Sequence, residues 1–272
     1  MRTEHLLPTY LIQRNKPIRV LVVGAGGTGS AFVMGLPYLH QAMLAWGHPG
    51  GLEVILVDPD SVSATNCVRQ PFAENDIGQN KAIVLMNRIN QFWGTHWNAA
   101  AIRFRASTLQ RNAHWTPDFL IGCVDSKAAR LSIHNALIRR GTHSTYWLDL
   151  GNGASSGQYV LGQPLNTINR GVRNRLPTVA EKYPEIIDIS TGEDTLPSCS
   201  AVESLDRQEP FINQTLAMSA LAMLARLFRY GRLTHHGAFF NAKSGQMSAL
   251  PVDTTLWSKS RRCSKKHHSM AM

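Results

Sequence analysis

The chain has 272 residues, of which 43% are hydrophobic and 17% charged, so a packed core is expected and disorder of the whole chain is excluded. Its net charge of +10 favours anionic partners such as nucleotides, nucleic acid, acidic proteins or membrane surfaces. Five basic residues at positions 259–266 supply half of this excess, in a tail that we expect to be disordered. No apolar stretch approaches the roughly 18 residues that a membrane-spanning helix needs, which excludes such a span.

The N-terminal half alternates buried strands with helices after an arm of residues 1–17. Short apolar runs rich in β-branched residues predict strands at 18–24, 52–58, 99–104, 118–124 and 145–150. Helical spacing predicts helices at 28–45, interrupted by Pro37, and at 79–93 and 126–140. This alternation is typical of an α/β, Rossmann-like fold with a mainly parallel sheet, whose ligands bind at the carboxyl ends of the strands.

The second half has a different composition. Residues 151–200 are rich in Gly, Pro, Asn, Thr and Ser, and the segment is too long for an ordinary connection, which predicts a crossover loop or a lid. A strongly apolar helix is predicted at 211–230 and a hairpin at 236–250, which together add a C-terminal antiparallel extension. We therefore expect one domain at 18–257, with a nucleotide-binding half at 18–150, a crossover region at 151–208 and a helix with a hairpin at 209–257.

The cysteines and histidines offer no metal site. Cys67, Cys123, Cys199 and Cys263 lie far apart and form no CxxC pair, so neither a local zinc clip nor a redox dithiol is predicted. Residues 1–7 show no signal-peptide pattern, and together with the sparse cysteines this indicates a reducing cytoplasm. The eleven histidines lack metal-ligand spacing, and we expect the pair at 235–236 to lie on the surface.

The first candidate site is a glycine-rich turn. Residues 24–29 fit the G-x-G-x-x-G pattern between a strand and a helix, with glycines at Gly24, Gly26, Gly27 and Gly29. Such glycines permit a tight turn whose N–H groups approach a phosphate at the helix N-terminus. Asp58 ends the second strand and can accept hydrogen bonds from ribose hydroxyls in the same crevice. Both features also occur for purely structural reasons, and at this point NAD(H) and ATP are both open.

Three later segments separate these ligands. Residues 60–70 read DSVSATNCVRQ, residues 78–81 read GQNK and residues 122–126 read GCVDS. With the glycine turn, this ordered set resembles the ThiF/MoeB/E1 superfamily, whose members activate ubiquitin-like or sulfur-carrier proteins by adenylating a C-terminal carboxylate. The resemblance covers about residues 19–151 well and extends more weakly to about residue 250. It implies the E1-like ThiF fold and the use of ATP and Mg²⁺.

The resemblance also implies roles for individual residues. In the family, the residues that match Asp58, Asn66, Arg69, Lys81 and Asp125 bind the ribose, the phosphates and the metal of ATP. Arg69 can donate two hydrogen bonds to phosphate oxygens, and Lys81 supplies a point charge. Asp125 can hold Mg²⁺, which prefers carboxylate and phosphate oxygens. The implied reaction converts a carboxylate and MgATP into an acyl-adenylate and pyrophosphate, with Arg69, Lys81 and Asp125 as its catalytic residues.

Three features depart from relatives. Many bind structural zinc through two CxxC pairs, which are absent here, so no zinc is predicted. Many have a thioester-forming or sulfur-handling cysteine in the crossover region, where Cys199 is either a reactive thiol or a small structural one. Homodimeric relatives commonly place an N-terminal arginine in the partner's ATP site. We expect a homodimer here too, but the short arm, with Arg2 and Arg14, leaves such a role open.

The segment PSCSA at 197–201, followed by QEPFIN at 208–213, resembles the ThiF-type proteins of the bacterial PRTRC gene cluster. The implied partner is a small ubiquitin-like or sulfur-carrier protein with a C-terminal Gly. An NAD-dependent oxidoreductase is an alternative, although it gives Arg69, Lys81 and Asp125 no shared purpose. Another is a non-catalytic nucleotide-binding scaffold that binds nucleic acid nonspecifically through the arginines of residues 170–175 and the basic tail.

Overall fold

The computed structural model describes residues 4–13, 15–112, 115–172, 174–191 and 209–253. Cys199, Arg2, Arg14 and the basic tail at 258–272 lie outside these residues. Within the described part of the chain, no helix has both the length and the apolar character needed to cross a membrane.

The strands and helices follow one another in the order that the alternating sequence pattern predicts for the N-terminal half. The elements are β1 (His5–Leu6), α1 (Thr9–Gln13), β2 (Ile18–Val23), α2 (Gly27–Ala45), β3 (Leu52–Val57), α3 (Lys81–Trp93), β4 (Asn98–Ala100), α4 (Thr108–Arg111), β5 (Phe119–Gly122), α5 (Lys127–Ile138), β6 (Tyr146–Asn152), β7 (Ser156–Gly162), α6 (Val179–Lys182), α7 (Ile212–Tyr230), β8 (Arg232–Leu233), β9 (His235–Asn241) and β10 (Gln246–Pro251).

The main sheet has eight strands in the order β10-β9-β7-β6-β5-β2-β3-β4. Strands β4, β3, β2, β5 and β6 run parallel, and β7, β9 and β10 continue the sheet in antiparallel fashion. The apolar runs of β2, β3 and β5 are buried because parallel strands are covered on both faces. The predicted α/β fold, with a mainly parallel sheet and a C-terminal antiparallel extension, is confirmed.

Helices cover both faces of this sheet. Successive side chains of β2 point to opposite faces, so Val20 and Val22 belong to one core cluster while Leu21 and Val23 belong to the other. The first cluster contains residues of α2, α3 and α7, and the second contains residues of α4, α5 and α6. The carboxyl ends of the parallel strands therefore open between two helical layers, where a ligand can reach them.

Strand β7 lies in the segment that the composition predicts to be a crossover loop. Its residues Tyr159, Val160 and Leu161 are buried, and it pairs with β6 on one edge and β9 on the other. Its sequence, SGQYVLG, contains two glycines, which are depleted in strands and hide the pattern. A Cβ on Gly157 would lie 2.3 Å from Leu216 Cδ1, so α7 packs close to this strand.

Two other elements differ from the predicted bounds. Helix α2 continues through Pro37, which is itself buried, because both α2 and α7 bury one side against each other and this packing outweighs the local cost of proline. Strand β4 ends at Ala100 instead of continuing to Phe104. The chain leaves the sheet there, and the buried Phe104 lines the cleft described below.

The N-terminal strand brings a histidine into the core. Strand β1 pairs with β8, and His5 Nε2 lies 2.7 Å from the Tyr146 hydroxyl. His236 is also fully buried, and its Nδ1 lies 2.6 Å from the Leu161 carbonyl oxygen, so the prediction of a surface position for this residue was wrong. Burial lowers the pKa of both His5 and His236 to about 4. Both side chains are therefore neutral at neutral pH.

Candidate functional site: a phosphate-binding cleft

The glycine turn follows β2 at the carboxyl edge of the sheet. Gly24 has φ +99°, and a Cβ on it would lie 2.5 Å from the Cys123 carbonyl oxygen, so this position requires glycine. Gly26 is the residue before α2, and a Cβ there would meet open space. Gly27, at the first position of the helix, approaches the Asn213 side chain. The N–H groups at the N-terminus of α2 thus face a cleft, and this arrangement favours the binding of a phosphate.

Gly29 serves packing and does not line the cleft. A Cβ on Gly29 would lie 1.9 Å from the Gly24 carbonyl oxygen, which leaves no room for any side chain. The third glycine of the pattern therefore lets the first turn of α2 close against the strand. The assignment of Gly29 to the nucleotide site stays a prediction from the sequence. The contacts of Gly29 indicate that it would affect nucleotide binding only indirectly, through the shape of the turn.

Asp58 joins the glycine turn to the end of β3. Its Oδ2 accepts a hydrogen bond from the Ala25 N–H at 2.6 Å, and its Oδ1 accepts one from the Asp60 N–H at 2.8 Å. Burial raises the pKa of Asp58, and these two N–H groups oppose that effect. The carboxylate retains further acceptor capacity toward a ligand, since each oxygen has two lone pairs.

Asn80 ties the segment after Asp58 to the start of α3. Its Nδ2 donates to the carbonyl oxygens of Asp58 and Asp60, and its Oδ1 accepts from the Ile83 N–H as the helix N-cap. Lys81, the next residue, is buried, with its Nζ 3.5 Å from Asp60 Oδ2. The helix start thus holds the lysine ammonium beside the Asp58–Asp60 segment.

Asn66 lies in a short 3₁₀ turn, Ala64–Val68, and Arg69 is the residue that ends this turn. The Asn66 Oδ1 accepts from the Ser63 N–H at 2.9 Å, so its amide nitrogen is the atom that can donate to a ligand. Arg69 is half-buried, and burial lowers the pKa of its guanidinium. The side chain nevertheless stays charged, because a guanidinium keeps its proton in proteins.

Asp125 follows β5 and is exposed at the edge of the same cleft. The next residue, Ser126, caps α5 by accepting from the Ala129 N–H at 3.2 Å, as the sequence predicted. The carboxylate of Asp125 is therefore presented at the end of a parallel strand and at the start of a helix.

These side chains come together in one cleft with a volume of about 530 Å³. All the residues assigned to ATP from the sequence line it except Gly29; they are Gly24, Gly26, Gly27, Asp58, Asn66, Arg69, Lys81 and Asp125. Cys199, the candidate reactive thiol of the crossover region, lies outside the described residues. The cleft also contains Arg103 and Arg130. Its cations Arg69, Lys81 and Arg103 suit a polyanionic ligand, whereas Arg130 pairs with a buried carboxylate.

Sequence reasoning missed a buried ion pair at this site. Arg130 Nε donates to Asp149 Oδ1 at 3.3 Å, and the two side chains are 9% and 0% exposed. Burial raises the pKa of Asp149, and the Arg130 charge opposes that effect. A signal was present, because a carboxylate in the otherwise apolar run at 145–150 requires a partner once it is buried.

A polar cluster on the other side of the glycine turn was missed as well. The Thr28 hydroxyl lies 2.9 Å from Asn152 Oδ1 and 2.8 Å from Asn213 Oδ1, and all three residues line the cleft. Asn152 ends β6, and Asn213 stands in the first turn of α7. No short motif links these residues, since 124 and 185 positions separate Thr28 from its two neighbours.

An apolar groove of about 580 Å³ adjoins the cleft. It lies between α2, α7 and the segment at 68–71, and Arg69, Gln70 and Asn213 border both spaces. Exposed apolar side chains of this groove include Val68, Phe211 and Met218. Phe211 has φ +65°, an uncommon backbone conformation for a residue other than glycine.

Among the described residues, no group of three or more His, Cys, Asp or Glu side chains could hold a metal ion by itself. Magnesium in phosphate sites usually has only one or two protein carboxylates, with water and phosphate oxygens as its other ligands. The exposed carboxylate of Asp125 fits that requirement because it faces the cleft where the phosphates are expected.

The fold and the cleft define an α/β protein with a glycine turn at the carboxyl edge of its sheet, an arrangement that suits a phosphate. Residues 6–252 match the ThiF family, and the chain belongs to this family. The assignment of the sequence to the ThiF/MoeB/E1 superfamily is therefore confirmed.

Solved structures show the same fold at low sequence identity. A structure of E. coli MccB with succinimide is 16% identical, with a TM-score of 0.57, and the match covers 90% of this chain and 65% of that chain. A structure of PaaA is 15% identical, with a TM-score of 0.56, and the match covers 89% and 65% of the two chains. The present chain thus spans slightly less than two thirds of the length of these proteins. No curated protein sequence matches it.

Proposed function

We propose that the protein is an ATP-dependent adenylyltransferase that activates the C-terminal carboxylate of a small peptide or protein. One observation carries this proposal: a single cleft brings together the glycine turn, Asp58, Arg69, Lys81 and Asp125. A carboxylate oxygen of the substrate attacks the α-phosphorus of ATP. The bond from this phosphorus to the bridging oxygen breaks, and the products are an acyl-adenylate and pyrophosphate.

The cleft offers groups that suit different parts of ATP. The ribose is assigned to Asp58, whose carboxylate the Ala25 and Asp60 N–H groups hold in place. The phosphates are assigned to the N–H groups of the glycine turn and to Arg69 and Lys81, two cations that line the same cleft. No nucleophilic side chain is needed, because charge stabilisation and positioning account for the step.

Magnesium is assigned to Asp125. When bound, the ion would neutralise charge on the phosphates and on the leaving pyrophosphate. Asp125 would supply the protein oxygen, while Arg69 and Lys81 would balance the remaining negative charge. The proposal thus includes ATP and Mg²⁺ as the cofactors.

For the acyl substrate we propose a small ubiquitin-like or sulfur-carrier protein that ends in Gly. Family membership supports this choice. Structures of E. coli MccB, which shares the fold, are described with MccA in one case and with ATP in another, which supports the coarser proposal of a small peptide or protein partner and of ATP use. We also propose a homodimer, for which the apolar groove beside Arg69 offers a surface. Membership of the PRTRC-associated group stays a prediction from the sequence.

The structure weakens one argument for the alternative of a nucleic-acid-binding scaffold, namely that the arginines of residues 170–175 are free to bind phosphates. Arg175 is 7% exposed on its side chain and pairs with Glu181, so it is not a free surface charge. Arg170 is exposed, whereas Arg173 and the basic tail lie outside the described residues.

The decisive experiment is ATP–pyrophosphate exchange with small candidate proteins that end in Gly or Gly-Gly. We expect exchange to depend on the candidate protein, on Mg²⁺ and on Lys81 and Asp125, and a candidate whose terminal carboxylate is blocked as an amide should support none. Absence of exchange with every candidate, together with tight NAD(H) binding, would contradict the proposed adenylation and favour the oxidoreductase alternative.

Cys199 is proposed as the thiol that receives the activated acyl group: its sulfur forms a thioester with the acyl carbon, the acyl–phosphate bond breaks and AMP leaves. The variant Cys199→Ala should retain ATP–pyrophosphate exchange and lose any covalent thioester, which non-reducing electrophoresis detects as a thiol-sensitive adduct. Cys67→Ala serves as the control, and an adduct that persists in Cys199→Ala assigns a structural role to Cys199.

A further inference from the structure

We infer that Arg130, held by Asp149, is a positioning residue that fixes the turn carrying Asp125 and so sets how strongly Mg²⁺ assists nucleotide binding. The inference rests on the function proposed above, and neither Arg130 nor Asp149 has a role in that proposal. It concerns two groups that do not need to touch the nucleotide themselves.

The side chain of Arg130 connects two parts of the cleft floor. Its Nε donates to Asp149 Oδ1 in β6, and its Nη1 donates to the backbone carbonyl oxygen of Asp125, each at 3.3 Å. Arg130 stands in the first turn of α5, only five positions after Asp125. The guanidinium therefore ties the residue assigned to the metal to the neighbouring parallel strand.

Strand β6 is shaped to receive this guanidinium. A Cβ on Gly151 would lie 2.6 Å from Arg130 Nη2, so a larger residue there would displace the guanidinium from its present place against the backbone. Gly151 has no positive φ that would otherwise require glycine. The close approach thus gives a packing reason for glycine at the end of β6.

The ion pair is costly to bury, which argues for a purpose beyond stability. Removing two charges from water has a large penalty, and a well-packed apolar pair of the same volume is often no less stable. Asp149 Oδ2 has no hydrogen-bond partner in the described part of the structure, so even this carboxylate is incompletely satisfied. What the pair does provide is a fixed position for the Asp125 backbone.

The turn at Asp125 is consequently held from two sides. Ser126 Oγ accepts from the Ala129 N–H and starts α5, while Arg130 holds the Asp125 carbonyl oxygen. The Asp125 carboxylate itself remains exposed toward the cleft. Groups that orient a metal ligand typically change metal affinity about 10–100-fold when they are removed.

The test measures binding of a non-hydrolysable ATP analogue by calorimetry, once with excess Mg²⁺ and once with EDTA. The ratio of the two dissociation constants reports how much Mg²⁺ tightens binding. For Arg130→Met we expect this ratio to fall about tenfold, while the dissociation constant in EDTA changes less than about threefold. Arg130→Lys should give an intermediate ratio, because lysine retains the charge beside Asp149 and lacks the second donor of the fork.

The single variant Arg130→Met leaves the buried carboxylate of Asp149 without its partner and could fail to fold for that reason. The double variant Arg130→Met/Asp149→Leu avoids this problem, since it leaves no unpaired buried charge. It should show the same reduced ratio as Arg130→Met. Arg88→Met is the matched control, because it removes an Arg–Asp pair, with Asp76, that does not line the cleft.

The outcomes separate two failures. If the wild-type protein does not bind the analogue with Mg²⁺, the proposed function is wrong. If the wild type binds and the double variant keeps the wild-type ratio, or loses binding equally in EDTA, then the positioning role of Arg130 is wrong while the function stands.

Discussion

The backbone N–H of Ala25 donates to the carboxylate of Asp58 across 2.6 Å, which joins the glycine turn to the end of the second parallel strand. The same carboxylate accepts from the Asp60 N–H, so one side chain fixes two of the segments that line the cleft. A site whose dipoles are set before the ligand arrives loses less free energy to reorganisation when charge develops. The bond is thus a structural basis for the assigned phosphate and ribose contacts.

Asp58→Asn tests this relationship. The amide nitrogen can accept no hydrogen bond, so one of the two backbone N–H groups loses its acceptor and faces another donor. We expect the free energy of unfolding to fall by about 1–3 kcal/mol, as measured by urea titration, together with weaker ATP binding. Glu53→Gln, an exposed carboxylate of the same strand, should change neither quantity, and an unaltered stability of Asp58→Asn would contradict the assigned role.

Gly29→Ala and Gly26→Ala form a matched pair. The added methyl group in Gly29→Ala would collide with the Gly24 carbonyl oxygen, whereas in Gly26→Ala it would meet open space. We expect Gly29→Ala to lower the free energy of unfolding by about 3 kcal/mol. Gly26→Ala should fold normally and bind ATP at least about tenfold more weakly, equivalent to about 1.4 kcal/mol, because its methyl group enters the space assigned to phosphate.

Urea unfolding and calorimetric titration with ATP distinguish these two outcomes. The assignment of Gly29 to packing is wrong if Gly29→Ala retains wild-type stability. The assignment of Gly26 to the phosphate site is wrong if Gly26→Ala retains wild-type affinity for ATP.

Lys81→Met tests the buried cation. Methionine matches the length of the aliphatic stem but removes the charge that lies 3.5 Å from Asp60. We expect kcat/KM for ATP–pyrophosphate exchange to fall about 10²–10³-fold, the range typical for loss of one group that stabilises the transition state. Lys243→Met, an exposed change in the β9–β10 hairpin, should have full activity, and an equally active Lys81→Met would remove Lys81 from the mechanism.

The two buried histidines predict how stability depends on pH. Their pKa values are about 4 in the folded protein against 6.5 for an unperturbed histidine, so between these values the unfolded chain binds more protons. Their contribution to stability is therefore complete above pH 6.5 and is lost as the pH falls toward 4. From the size of the shifts to about 4, each residue contributes on the order of 3 kcal/mol to this change.

Urea unfolding between pH 4 and pH 7.5, a range set by the unperturbed and folded pKa values, measures this dependence. The double variant His5→Gln/His236→Gln retains amide donors toward Tyr146 and Leu161 and removes both titrating groups. Its stability should decline less steeply on acidification than that of the wild type. His96→Gln, at an exposed position, should follow the wild-type curve, and a double variant that also follows it would show that the buried histidines do not cause the pH dependence.

Eight of the residues that line the cleft could be predicted because they lie in short, ordered segments. Asp58 and Asp125 follow strands, and parallel strands bring their carboxyl ends to one edge. Lys81 begins α3, and Asn66 and Arg69 belong to the segment that links Asp58 to that helix. Buried apolar runs likewise predict β2, β3 and β5. These features depend on neighbouring residues, so the local sequence contains the information.

Contacts between distant segments of the chain could not be predicted from the sequence. Whether Gly29 packs or binds depends on the carbonyl oxygen of Gly24, and whether His236 is buried depends on Leu161 in another strand. The pairing of Thr28 with Asn152 and Asn213 likewise joins three elements without a shared motif.

The sequence by itself determined the α/β class and the family and singled out the charged residues now proposed to bind a triphosphate, because these follow from periodicity and from motifs of a few residues. Only the tertiary structure decided that β7 inserts beside β6, that Arg175 pairs with Glu181, and that Asp149 holds Arg130 beneath the cleft. The physical reason is that burial and pairing depend on how distant segments of the chain are arranged in three dimensions. A charge in the sequence has no fixed partner until the fold places one within a few ångströms.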